Sequence, residues 1–231
     1  MPTGSRPTRC PRRYSLHLTV DPDGEGFTGS VTISVELAEA TDVIVLHALD
    51  LDVHSACIHQ AGSAHTPSIT VDLEHQWITL ATGGYLEAGA AEVQLEYSGR
   101  YCENLVGLYV SEFELDGITR RLAVTQCEST HARRFMPCFD EPAFKATFEV
   151  TLEVPAGFTA ISNSAEVERT VNSPAEGDPG TVTIRFAHDG HVDLPAGRRG
   201  RPPGDHRGPR RPGGVRARSR CGWCTRPERA T

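Results

Sequence analysis

The chain has 231 residues, with 30 acids against 23 Lys and Arg and a formal charge of −7, yet its two ends disagree. Residues 190–231 hold 11 Arg against Asp193, Asp205 and Glu228, a local +8 that leaves −15 for residues 1–189. One homogeneous domain is thereby excluded, and so is a nucleic acid or anionic membrane as partner of the acidic body.

Residues 1–12 carry basic groups and no apolar run, so a flexible N-terminus and no secretory signal are expected. From Tyr14 onward the dominant signal is a period of two. Tyr14, Leu16, Leu18 and Val20 alternate with Ser15, His17 and Thr19. Phe27, Gly29, Val31, Ile33, Val35 and Leu37 repeat the pattern, as do Val93-Leu95-Tyr97, Phe148-Val150-Leu152-Val154 and Val182-Ile184-Phe186. Turns are expected at Asp21-Pro22-Asp23-Gly24, Gly83-Gly84 and Pro155-Ala156-Gly157. Strands with one apolar and one polar face, joined by short turns, predict an all-β fold, an antiparallel β-sandwich over residues 13–188.

The segment from Glu128 to Phe144 breaks the alternation. Pro137 and Pro142 deny it a place as a central strand, because proline lacks a ladder donor. An ordered loop with one helical turn is expected, and Arg133, Arg134, Asp140 and Glu141 are candidates for an ion-pair network that fixes it. Independent surface charges would read the same way. Beyond His188 the composition turns to Arg, Pro and Gly, which predicts a disordered tail over 189–231.

Strand-like Thr125-Gln126-Cys127-Glu128 runs into Ala132-Arg133-Arg134 and Pro137-Cys138-Phe139-Asp140-Glu141-Pro142. With Tyr14–Leu18, Gly29–Ile33, Gly107-Leu108-Tyr109 and Phe144–Phe148, this order resembles the N-terminal domain of the aminopeptidase N family, zinc metallopeptidases of the gluzincin type. The resemblance covers about residues 11–187. It implies a saddle-shaped β-sandwich that packs on a catalytic domain, presenting to that partner a face expected to be an apolar patch. It also implies that Gln126 lines the pocket for the first substrate side chain and that Glu128 helps hold the substrate's α-ammonium. By spacing alone Glu128 reads equally as a solvated charge at a strand end, but residues two apart on a strand do share a face. Cys127 and His131 depart from the family's usual residues there.

The family's zinc is held by H-E-x-x-H on a helix, and no such motif occurs in the sequence. The chain is therefore expected to bind no zinc and to be inactive alone, with a peptide N-terminus as substrate only in a complete enzyme. His54, Cys57 and His59, with His47, His65 and His75 nearby in sequence, are potential metal ligands. His54 and His59 lie five apart, however, and should face opposite sides of one strand. Cys221-Gly-Trp-Cys224 matches a redox C-x-x-C but lacks the strand and helix start that tune such thiols. Seven Cys in no regular framework, and no signal peptide, point to reduced thiols in the cytoplasm.

The family resemblance stops after Val182–Phe186. A base string that encodes His191–Gly197 in one frame encodes Met-Ser-Thr-Tyr-Leu-Pro, the family's continuation, one base later. A truncated product with a reading-frame shift between about Phe186 and His191 is the expectation that follows. The alternative is a non-enzymatic β-sandwich binding module whose basic tail contacts nucleic acid.

Overall fold

The computed structural model describes residues 9–172, 180–193 and 222–225, the last four and 189–193 as backbone alone. The strands in chain order begin with β1 (Arg9–Val20), β2 (Gly26–Leu37), β3 (Thr41–His47), β4 (Leu51–Gln60) and β5 (Ser63–His65). They continue with β6 (Ser68–Asp72), β7 (Trp77–Leu86), β8 (Gly89–Arg100), β9 (Gly107–Leu115) and β10 (Ile118–Gln126). After one 3-10 turn at Ala132–Arg134 come β11 (Lys145–Pro155), β12 (Thr159–Ala160), β13 (Glu166–Asn172) and β14 (Thr181–Phe186). Asp189–Asp193 forms β15 and Gly222–Thr225 forms β16.

A nine-stranded sheet runs β13-β14-β11-β1-β2-β8-β4-β5, with β15 also paired to β11. The order β3-β7-β6 makes a three-stranded sheet, and β12-β16-β10-β9 a four-stranded one. The apolar positions read from the alternation point inward: Tyr14, Leu18, Ile33, Val93 and Leu152 are excluded from water. They share one core cluster with Ile44, Leu46, Ile78 and Leu80 of the three-stranded sheet and with Leu108 and Ala123 of β9 and β10. This is the all-β sandwich that the alternation predicts. Burying each such Leu or Ile contributes about 1.5–3 kcal/mol, which is what holds the layers together.

Four details differ from the sequence expectation. The large sheet is not purely antiparallel: β1 and β11 run parallel, with Tyr14 beside Phe148 and their rings stacked at 4.8 Å. Alternation reports faces and not directions, so it is blind to this pairing. Gly83-Gly84 is no hairpin turn but lies inside β7, where the register with β3 jumps and Gly83 takes φ +69°. The first strand starts at Arg9, within the segment expected to be flexible, because the Arg9 guanidinium reaches the Val43 carbonyl at 2.7 Å. Finally, β15 and β16 fall in the tail expected to be disordered. The remainder of that tail and residues 1–8 lie outside the described residues.

One close approach is set by glycine. A Cβ on Gly29 of β2 would lie 2.7 Å from both Leu18 and the Tyr97 ring, its neighbours on β1 and β8. The missing side chain makes room for the buried tyrosine.

Candidate functional site

Of the two residues singled out by sequence, Gln126 ends strand β10 and Glu128 lies in the turn just beyond it. The strand's core-facing positions are Ala123 and, just beyond its end, Cys127, both packed with the central cluster. Alternation puts Val124 and Gln126 on the other face, but Glu128 lies beyond the strand in the turn that follows, so the shared face expected from spacing does not extend to it. Gln126 is half-buried and Glu128 exposed, so the carboxyl is not drawn into the sandwich. That face is not an open apolar patch, for Tyr109 and Val124 are nearly fully buried although outside the core cluster. Exposed apolar groups sit at the far end of the hairpin, at Phe113 and Ile118.

Gln126 pairs with Gly107 of β9. Gly107 has φ +63°, and a Cβ there would lie 2.7 Å from Cβ of Arg134. Glycine at this position lets the 3-10 turn fold back against the end of the strand pair, and the His131 amide closes that turn on the Cys127 carbonyl at 3.0 Å.

The loop beyond is fixed from several directions. Arg133 Nε donates to Asp140 Oδ2 at 2.9 Å, and both residues are buried. The same guanidinium donates to the Asp140 carbonyl at 3.3 Å and to Gln76 Oε1 at 3.2 Å. Arg134 pairs with Asp50. Cys138 and His47 exchange two backbone hydrogen bonds, at 2.8 and 3.0 Å, the single bridge of this loop to the edge of β3. The Phe139 amide donates to the hydroxyl of Tyr14 at 3.1 Å, and the Asp140 amide to Nδ1 of His47 at 3.2 Å. Phe135, Met136, Cys138 and Phe139 meanwhile bury their side chains in the core.

The expected network is therefore present in part. Arg133 with Asp140 and Arg134 with Asp50 form pairs, while the side chain of Glu141 is exposed. Sequence reasoning missed Gln76 and Asp50 altogether, and took His47 for no more than a possible metal ligand. Burial and the nearby Arg133 guanidinium push the His47 imidazole below its ordinary value, as suits a ring whose Nδ1 must accept a hydrogen bond. Burial pushes the Cys138 thiol and the Tyr14 and Tyr97 hydroxyls well up.

Among the described residues no three of His, Cys, Asp and Glu gather closely enough to hold a metal ion. The expectation that His54 and His59 face apart fails for a local reason. An extra residue at His54 breaks the register of β4 against β8, after which Ser55, Cys57 and His59 oppose the exposed Glu96, Gln94 and Glu92. His54 bonds the Ser98 hydroxyl at 3.0 Å instead of a ligand set. Cys221 lies outside the described residues. A groove of about 450 Å³ lies near the loop, lined by Asp50, Asp52, Leu51, Ile78 and Arg100 among others, and neither Gln126 nor Glu128 lines it.

A family model described as the peptidase M1 N-terminal domain matches residues 10–189. Aminopeptidase M1-A of Oryza sativa subsp. japonica is 39% identical over 168 residues, covering 71% of the chain and 19% of that relative. Aminopeptidase M1 of Arabidopsis thaliana is 37% identical over 167 residues, and aminopeptidase N of Bos taurus 35% over 186, covering 70% and 75% of the chain. The chain thus spans about a fifth of the length of these curated relatives, 19% in each case.

Proposed function

Because the chain belongs to the peptidase M1 family, whose N-terminal domain it carries, we propose that it is the part of a zinc-dependent aminopeptidase that recognises the free end of a peptide. Glu128 is the group that meets the substrate's α-ammonium, and Gln126 lines the pocket for the first side chain. What supports this reading is that Gln126 is the last residue of β10 and Glu128 follows it by two in an exposed turn, within the matched family domain.

The chemistry follows from charge. A carboxylate bound to an ammonium forms a charge-assisted hydrogen bond, which an internal peptide N–H cannot match. Such a contact selects chain ends over chain interiors, so residues leave one at a time. The rigid loop behind β10 keeps both side chains in place before substrate arrives, which lowers the ordering cost of binding. The sequence contains no H-E-x-x-H, and among the described residues no three of His, Cys, Asp and Glu gather as ligands. Peptide hydrolysis is therefore assigned to the remainder of the enzyme, and the domain alone is expected to leave aminoacyl arylamides intact with zinc supplied.

The test is a chimera in which residues 10–189 replace the matching segment of an active M1 relative. Replacing Glu128 by Gln should lower kcat/KM on aminoacyl arylamides by about 10- to 100-fold, the worth of one hydrogen bond to a charged group. An active chimera indifferent to Glu128→Gln would refute the assignment.

A further inference from the structure

The outer face of the large sheet carries a second pair of chemically competent groups, unrelated to Gln126 and Glu128. The register break at His54 turns Cys57 and His59 onto the same solvent-facing side of β4. Cys57 Sγ and His59 Nε2 lie 3.4 Å apart, and both residues are partly exposed. Across the ladder Cys57 faces Gln94, a neutral residue, and His59 faces Glu92. Ser55 occupies the remaining nearby carboxylate, donating to Glu96 at 3.1 Å.

The other described thiols are placed differently. Cys138 is buried and its thiol pushed up by burial, and burial also raises the Cys102 thiol. Cys127 packs against the core, and Cys10 has only the Pro11 carbonyl, at 3.8 Å. A thiol reacts as its thiolate, and a neighbouring imidazole that can take its proton is what makes a half-exposed cysteine nucleophilic.

We propose that Cys57 and His59 form a nucleophilic pair that takes a small disulfide in covalent linkage. As the sulfur attacks, the Cys57 proton passes to His59 Nε2. The new S–S bond forms to one sulfur of the small disulfide while its own S–S bond breaks. The departing thiolate then collects the proton, so a disulfide and a thiol go in, a mixed disulfide and a thiol come out, and no further oxidant is needed. The modification adds a charged group to the open face of β4 and β8 without entering the core, and a reducing thiol reverses it.

Oxidised glutathione is the probe, applied to the whole folded chain near neutral pH, with each site followed by peptide mass mapping and Cys10 as internal reference. Cys57 should be modified faster than Cys10. His59→Gln should slow it by about tenfold relative to Cys10, less than the full contribution of a positioned base because water also takes protons. His59→Thr, a strong strand former, should do the same, and unchanged far-UV circular dichroism shows that either variant is folded. Equal rates at Cys57 and Cys10, or a Cys57 rate untouched by either folded variant, would overturn the proposal.

Discussion

In the nine-stranded sheet the groups removed from water are Ile33, Val93, Leu95 and Leu152, while in the loop after β10 they include a guanidinium and a carboxylate, Arg133 and Asp140. The sheet spreads its stabilisation over many similar apolar contacts, none indispensable. The loop concentrates its own in a handful of directed bonds, with those to Gln76, His47 and Tyr14 beside the buried Arg133–Asp140 pair. Non-directional burial tolerates exchange of shape for shape. A buried charge tolerates only its partner.

The sharpest way to expose the contrast is to remove one charge. Asp140→Asn leaves the Arg133 guanidinium, buried beside it, without its counter-charge. A cost of about 3–5 kcal/mol is expected in urea unfolding. A sheet position should be gentler even when crowded. Gly29→Ala pushes a methyl to 2.7 Å from Leu18 and Tyr97, and the neighbours must shift, at about 1–3 kcal/mol. Should Asp140→Asn prove the milder of the two, the loop is not held by its ion pair.

The same contrast governs what the sequence discloses. Each strand writes its burial into its own period, so Tyr14, Leu16, Leu18 and Val20 are legible one strand at a time. What alternation does not encode is missing: the parallel partnership of β1 and β11, and the extra residue at His54 that reverses a face. In the loop, Arg133 and Asp140 stand out because clustered charges in a proline-containing break of the alternation need a reason. Their partners do not, since Gln76 and His47 are 57 and 93 residues away and leave no local pattern. Spacing suggests a shared face for Gln126 and Glu128, but β10 ends at Gln126 and a turn begins before the alternation reaches Glu128, so only family resemblance gives the two residues a meaning.

Titration separates the regions further, with a smaller effect. The folded state lowers the His47 imidazole's affinity for protons, through burial and Arg133. The unfolded chain then binds the proton more tightly, so stability should fall as pH drops from above the unfolded value of about 6.5 and level off below the folded one. His47→Asn places an amide oxygen near the position of Nδ1 and should flatten this acid limb. Alkali attacks elsewhere. Cys138, Tyr14 and Tyr97 are held neutral by burial, so the unfolded chain releases their protons first and stability should decline above the ordinary values of 9.0 and 10.0. An acid limb unchanged in His47→Asn would show that the Asp140 amide does not depend on this ring.

The smallest effect tests whether every charge in the loop counts alike. Arg134 pairs with Asp50, but the Asp50 side chain is 62% exposed and water screens it. Asp50 also sits at φ +59°, a conformation that asparagine accepts as readily as aspartate, so Asp50→Asn removes the charge and little else. Arg134 keeps its place because Gly107 gives its backbone and Cβ room to close on the strand end, not because of the carboxylate. The urea midpoint should therefore move by about 0.5 kcal/mol or less. A loss approaching that of Asp140→Asn would mean that the loop behind Glu128 is tied to the sandwich through its exposed pair as firmly as through its buried one.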